Sequence, residues 1–570
     1  MHVWPLRYWS LKLISLGGIS LAVFALPHLM PGKPVTLYES WPVNTQQRAR
    51  LISEYGFDHP LPTQYALWLQ RLITGQWGQS RSYSRPVLPD IWQATRLTLF
   101  LLLWTLLACG LGIAVLWGMQ RLVPWLGPLL PRSKLLHILE VLPSFLVAVL
   151  LRELMIWRPG WVSMASLPHF EPYYFFNPLY MLLPASVLAL TPLRVWYTRP
   201  PELYAQRPPL RQRWRDFRTH FGSHLDIFLL EVCITEHIFA FPGLGSLGID
   251  ALKRRDFPIL QGFILCTGAV YFVLRCLCEP AQSQPAVSPA STAAPHATDR
   301  TVYNGLWCLL MLGLVTVWAP SLLRYDPMEI HRHDYFLAPG YRYTLGTDSL
   351  GRDVLSRTVK GFRSSIPRVL ALTAIIGGVS WLALGRTRGL RGLLSLLWRG
   401  GLALLHAIPS FVLAFMVFIV CEHRPWALNI ALTIACLPVA AQLITAQATL
   451  LQRAAQLAQL GGLVLLLEVT FYFLNLSIES LAPTWGSDIR QGMLHGHINI
   501  WMVLAPSCAV VWSRYSLQQL SSGFPPQPPT AAPQSSSYDA TARWRGRNTM
   551  SKPARNITTL ITWGIRSGPK

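Results

Sequence analysis

The chain has 570 residues, 52% of them hydrophobic and only 13% charged. Soluble domains carry about 25% charged residues, so an ordinary water-soluble globular protein is excluded. The formal charge of +23 does not mark a nucleic-acid binder, because the basic residues sit in short clusters between apolar runs. Nine cysteines, an odd number lying mostly inside or at the ends of apolar runs, argue against a disulfide framework.

About 20 apolar residues cross a bilayer core as a helix. Residues 9–27 form the first such run, after Arg7; with no clear cleavage site following, it reads as a retained anchor. A polar stretch, 28–96, separates it from predicted spans at 97–119, 135–156, 178–197, 225–241 and 259–277. Residues 281–302 are rich in Pro, Ala, Ser and Thr and read as a linker. The pattern then restarts, with a span at 303–323, a polar stretch 324–365, and spans at 366–385, 401–421, 427–444, 460–478 and 499–519. Residues 521–570 are Pro/Gln/Ser/Thr-rich, then basic, and read as a disordered tail. The expected fold is an all-α membrane protein of about twelve transmembrane helices in two six-helix halves, 1–280 and 303–520. Arg121, Arg132, Lys134, the run Arg207–Arg218, and Arg386, Arg388, Arg391 and Arg399 fall on one side. The positive-inside rule makes that side cytoplasmic, with both termini, the linker and the tail. Lys253-Arg254-Arg255 is a local exception on the outer side.

The most informative stretch is Glu236-His237-Ile238-Phe239-Ala240-Phe241-Pro242-Gly243-Leu244-Gly245. A carboxylate stands inside an apolar helix, which Pro-Gly-x-Gly then breaks. Backbone of this kind at membrane depth survives only against protein or a water-filled cavity. Glu236-x-x-Phe239-x-Phe241-x-x-Leu244 recurs as Glu468-x-x-Phe471-x-Phe473-x-x-Leu476, 232 residues on (468 − 236). Pro143-Ser144-Phe145 recurs as Pro409-Ser410-Phe411, 266 on, and Leu183-Pro184 as Leu437-Pro438, 254 on. Parallel repeats of this kind pack around a central axis with a pathway between them. The offset falls by 22 (254 − 232), so the second half is shorter between Pro438 and Glu468. Glu236, Phe239, Pro242, Gly243, Gly245, Glu468 and Phe471 are therefore candidates for a transport pathway or gate. The alternative is that the two glutamates are structural, paired to an arginine or to backbone amides of the loop that follows. Glu231, about 140° round the helix from Glu236, is expected to pair with a neighbouring helix. The outer histidine pairs His331/His333 and His495/His497 would need to converge to bind a metal, and no metal site or cofactor is expected. No G-x-x-x-x-G-K-[ST] loop and no G-x-S-x-G elbow occurs, so the chain is not read as an enzyme; any ATP hydrolysis belongs to another chain.

Several further motifs carry a resemblance. Leu26-Pro27-x3-Pro31-Gly32-Lys33-Pro34, Tyr55-Gly56-Phe57-Asp58-His59-Pro60-Leu61, Gly75-Gln76-Trp77-Gly78-x-Ser80 and Asp256-Phe257-Pro258 punctuate the first half. Leu345-Gly346-Thr347-Asp348-Ser349-Leu350-Gly351-Arg352-Asp353-Val354, Gly361-x-Arg363-x-Ser365 and Pro483-Thr484-Trp485-Gly486 punctuate the second. Together they resemble the paired permease subunits of bacterial ABC importers for dipeptides, oligopeptides and nickel, including the type linked to antimicrobial-peptide resistance. Each half is similar to one permease, as if the two were fused through the linker. The resemblance implies an inner-membrane permease moving short peptides or a similar small solute. It also implies ATP-binding subunits on the cytoplasmic face, a periplasmic solute-binding protein and the lipid bilayer as partners, and no nucleic acid. It makes Asp256, Gly346, Asp348, Gly351, Arg352, Asp353 and Trp485 an outer-face motif, and Tyr204, Ala205, Arg211, Arg215, Arg453 and Ala454 the segments that couple to the ATPases. The coupling loops depart from that family: Pro208-Pro209 interrupts the first and the second is short. The alternative function is a degenerate permease-like membrane protein without ATP-coupled transport.

Overall fold

The computed structural model describes residues 3–38, 45–122, 142–157, 178–197, 210–278, 299–389, 400–402, 405–421, 424–444, 449–476, 483–495 and 498–522. Tyr204, Ala205, His497, residues 281–298 of the linker and the tail beyond 522 lie outside them. The first half contains α1 (Val3–Leu29), α2 (Thr45–Tyr55), α3 (Leu61–Ile73), α4 (Val87–Leu122), α5 (Ser144–Trp157), α6 (Pro178–Tyr197), α7 (Leu210–Ile238), α8 (Leu244–Arg254) and α9 (Phe257–Cys278). The second contains α10 (Asp299–Trp318), α11 (Val354–Gly389), α12 (Ser410–Val420), α13 (Ala427–Leu443), α14 (Leu450–Phe473), α15 (Trp485–His495) and α16 (Trp501–Ser522). Among the described residues the only β pairing is two isolated bridges, Gln79 with Pro86 and Thr347 with Asp353.

Segments of four of these helices are long and apolar enough to cross a membrane: Val87–Met119, Phe257–Cys278, Val354–Ala383 and Leu450–Phe473. Shorter apolar segments lie at Leu16–Leu29, Met181–Tyr197, Tyr303–Trp318, Ser410–Val420 and Ala427–Leu443. On α4 Leu99, Leu103, Leu106 and Leu111 are exposed, and on α10 Leu306, Leu310, Leu314 and Val317. Such continuous apolar stripes are unfavourable in water and are what lipid covers. Prolines inside α6, α11, α13 and α16 fit a membrane, where neighbouring helices re-satisfy the freed carbonyls.

The two halves use one packing scheme. α1 lies on α9 as α10 lies on α16. α4 packs on α6, α8 and α9 as α11 packs on α13, α15 and α16. α7 meets α6, α8 and α9 as α14 meets α13, α15 and α16. α4 and α11 each have 36 residues, about 54 Å at 1.5 Å per residue. The halves share a hydrophobic core. Across the junction α7 touches α12, and Phe145 at the start of α5 stacks obliquely on Phe473 at the end of α14, 5.9 Å between centroids. Arg152 on α5 donates to the Met493 carbonyl on α15 at 2.8 Å. Asp226 of α7 accepts hydrogen bonds from Tyr271 of α9 and from the Ser410 amide at the first turn of α12. An acid there suits the positive end of a helix dipole.

The shortening between Pro438 and Glu468 has a structural expression. Glu236 lies 26 positions after Leu210, the start of α7, whereas Glu468 lies 18 after Leu450, the start of α14. Arg211–Arg218, expected in a loop, are helical: Pro208-Pro209 ends just before Leu210, and proline is tolerated at a helix start. α14 starts on a capping box, in which Thr449 Oγ1 accepts from the Gln452 amide and the Gln452 side chain accepts from the Thr449 amide.

Candidate functional site

Glu236 sits two residues before the end of α7 and is fully buried. Pro242-Gly243 then turns the chain back, and α8 starts with its N-terminus aimed at the carboxylate. Glu236 Oε2 accepts from the Gly245 amide at 2.7 Å and the Ser246 amide at 3.3 Å. Oε1 accepts from Thr98 Oγ1 of α4 at 2.5 Å. Thr98 Oγ1 in turn accepts from the Leu244 amide at 2.8 Å. Three of the amides that a helix N-terminus leaves without intrahelical partners are thus satisfied by one carboxylate and one hydroxyl. The glycines are required by proximity. A Cβ on Gly243 would stand 2.2 Å from the Glu236 carboxyl carbon, and one on Gly245 2.4 Å from Cys233 Cα. Phe239 is buried in the core, whereas Pro242 is exposed.

Glu468 is equally buried but held differently. No backbone amide among the described residues reaches it. Arg368 Nη1 of α11 lies 3.7 Å from Oε1 and also bonds the Tyr472 hydroxyl. Ser365 faces the same carboxylate. Phe471 packs against Phe415 and Phe418 of α12, with centroids 5.2 and 5.7 Å apart. Leu474-Asn475 stands where the first half has Pro242-Gly243, and Asn475 takes φ 58°. The second half has exchanged helix-terminal amides for a guanidinium.

The residues expected on the outer face lie on two matched loops. Gly78 (φ 88°) and Gly346 (φ 76°) each turn the chain into a bridge that closes at the start of the long helix. The Val87 amide donates to the Gly78 carbonyl and the Val354 amide to the Gly346 carbonyl, both at 3.1 Å. In the first half, Asp256 ties this loop to the start of α9. Its Oδ2 accepts from Ser80 Oγ at 2.6 Å and from the Ser82 amide at 2.9 Å. In the second half Asn499, before α16, donates to the Leu345 carbonyl at 3.2 Å.

Around that second loop is a buried charge network. Arg352 Nε donates to Asp348 Oδ2 at 2.7 Å, and Arg352 Nη2 to Gln491 Oε1 at 2.9 Å. Arg357 Nε donates to Asp488 Oδ1 at 2.9 Å. Burial, reinforced by the neighbouring Arg357 charge, lowers the Arg352 pKa, and burial raises that of Asp488 against the pull of Arg357. Asp353 accepts from the Ser356 amide at 2.8 Å and caps α11. Trp485, fully buried, donates to the Thr358 carbonyl at 3.0 Å. A Cβ on Gly351 would strike the His331 carbonyl at 2.0 Å.

Arg211 and Arg215 are exposed on the first turns of α7, while Arg453 and Ala454 stand on the first turn of α14, half-buried, with Arg453 over the Trp381 ring. The candidate residues therefore gather in three places: the two carboxylate turns, the Gly78 and Gly346 loops, and the opposite ends of α7 and α14. Glu231 meets a neighbouring helix, as its position implies, accepting from Thr191 of α6 at 2.6 Å with Arg194 at 3.6 Å. His495 stacks against Phe336, and no metal-competent cluster exists among the described residues.

The structural alternative for the glutamates holds in its partners, loop amides for Glu236 and an arginine for Glu468; sequence reading missed the hydroxyls beside them. Thr98 is the twelfth residue of α4 and Ser365 the twelfth of α11. The signal was present as an offset of 267 (365 − 98), between the 268 of Gly78/Gly346 and the 266 of Pro143/Pro409. A lone hydroxyl in an apolar helix does not announce itself without that register.

No protein-family model matches the chain. Its N-terminal half is homologous to permease subunits of transport systems. A glutathione transport system permease protein of Salmonella paratyphi A is 23% identical over 295 residues, covering 48% of this chain and 93% of that protein. A dipeptide transport system permease protein of Escherichia coli is 26% identical over 333 residues, covering 48% of this chain and 94% of that protein.

Proposed function

We propose that this homologue of peptide and glutathione permease subunits is two permeases on one chain. It moves short peptides or a similar small solute across a bacterial inner membrane, powered by separate ATP-binding subunits. The observation that carries the reading is the repetition of one packing scheme, α4–α9 and α11–α16, around a buried glutamate near the end of α7 and of α14. A transport pathway between two such halves fits parallel repeats. About twelve spans, cytoplasmic termini and the domain limits 1–280, 281–302, 303–520 and 521–570 complete this reading. Glu236 and Glu468 with their turns form the gate, and the Gly78 and Gly346 loops form the outer rim where a soluble solute-binding protein delivers cargo. The first turns of α7, with the exposed Arg211 and Arg215, and of α14, with the half-buried Arg453 and Ala454, engage the ATPases. Tyr204-Ala205 would extend the first of these contacts. A permease-like scaffold without coupled transport is not favoured, because the match extends over 93–94% of the length of relatives that are transport permeases.

The test is co-purification with the ATP-binding subunits under mild detergent, followed by uptake of a labelled dipeptide into vesicles. We expect a stable complex and ATP-dependent uptake. A chain that recovers no ATPase and supports no uptake would refute the proposal.

A further inference from the structure

A small cavity lies inside the charge network of the second half. Val354, Arg357 and Thr358 of α11, Asp488 and Gln491 of α15, and Met502 of α16 line it. About 10 Å³ of it can hold the centre of a water molecule, which is room for one water. Asp488 is only 7% exposed. Its Oδ1 accepts from Arg357 Nε at 2.9 Å, while its buried Oδ2 has no hydrogen-bond partner among the described residues. Gln491 Oε1 accepts from Arg352 Nη2 at 2.9 Å, which leaves Nε2 to donate elsewhere. Pro506, also on the cavity wall, has no amide for the Met502 carbonyl four residues before it. That carbonyl faces α15, 2.7 Å from where a Cβ on Gly492 would stand.

The charge of a guest follows from that of the network. Asp348 and Asp488 face Arg352 and Arg357, so the four charges cancel and a bound ion would add an uncompensated one. An apolar guest would leave the polar groups unpaired. Water both donates and accepts, so it suits two acceptors and one donor.

The arrangement is peculiar to the second half. α8 opens Leu244-Gly245-Ser246 and α15 Trp485-Gly486-Ser487, but the fourth residue is Leu247 in α8 and Asp488 in α15. The fourth residue of α4 is Asp90, paired with Arg85, whereas that of α11 is Arg357.

We infer that one water is bound in this cavity, donating to Asp488 Oδ2 and to the Met502 carbonyl and accepting from Gln491 Nε2, and that it joins α15 to the proline turn of α16. Three bonds are the usual complement of a buried water. Ordered water is also among the partners that re-satisfy carbonyls freed by proline in membrane helices.

The test is a density map of the full chain at a resolution that shows ordered waters. One peak is expected about 2.7–3.2 Å from both Asp488 Oδ2 and Gln491 Nε2. The absence of a peak overturns the site. An anomalous signal at the peak in crystals grown with rubidium in place of sodium overturns the water and makes the guest a cation. Gln491→Met should weaken or abolish the peak, and an unchanged peak overturns the bonding scheme. Because that variant also takes an acceptor from Arg352, Val354→Ile is the second. It touches no charge, and its added methyl should displace the water, strand Asp488 Oδ2 and lower the thermal midpoint in detergent by a few degrees. A raised midpoint in Val354→Ile, the mark of a dry void being filled, overturns the site.

Discussion

Glu236 and Glu468 solve one problem by two means. A carboxylate in a spanning helix costs a few kcal/mol on insertion scales, and each half offsets that cost locally. In the first half the offset is geometric, so it depends on Gly243 and Gly245. Gly245→Ala should lower stability by about 1–3 kcal/mol, because the methyl meets backbone that cannot yield; the thermal midpoint in detergent reads this. Glu236→Ala should cost more than Glu236→Gln, since alanine strands the Gly245 and Ser246 amides at about 1–3 kcal/mol for each unsatisfied group. In the second half the offset is a single charge. Arg368→Leu should be strongly destabilising alone and much less so with Glu468→Gln, because the neutral glutamine needs no cation. A double-mutant cycle showing additivity would mean that Arg368 does not hold Glu468.

At the scale of elements, most helices were legible from apolar runs, and their limits were not. The span expected at 97–119 begins at Val87, and that expected at 366–385 begins at Val354. Hydropathy marks only the part of a helix that lipid surrounds, and both helices continue into polar residues. The basic run after Pro209 reads as loop by composition, yet it is helix because it extends a buried span whose nucleation cost is already met. Replacing the exposed Arg211 and Arg215 by glutamine should leave stability within about 0.5 kcal/mol, as for surface changes elsewhere, and abolish ATPase recovery. Loss of stability instead would show these residues to be structural. The glutamate turns were legible through Pro-Gly-x-Gly and the repeated phenylalanines. An arginine partner was expected, but that it is Arg368, and that Thr98 and Ser365 stand beside the carboxylates, was not legible, since hydroxyls and single arginines become meaningful only when helices α4 and α11 are set beside α7 and α14.

For the whole molecule, the repeat read from three short motifs extends to the packing of seven helices in each half. The halves share a core, joined by Phe145 on Phe473 and by Asp226 on the Ser410 amide. A chain divided within 281–298 and expressed as two pieces should therefore yield halves that co-purify, provided that both are present during insertion. Pieces that behave as independent monomers would contradict a shared core. One chain also lets the halves diverge, which identical subunits cannot do, and the exchange of backbone amides for Arg368 is such a divergence. The unequal lengths of α7 and α14 are another. Glu236 stands 26 residues from the start of its helix and Glu468 18, a difference of about 12 Å at 1.5 Å per residue. Under the permease reading, these helices are lever arms between the ATPase face and the outer gate. Two motors delivering the same stroke would work against levers of different length, so the gate would open as a hinge with one fast leaf and one slow one.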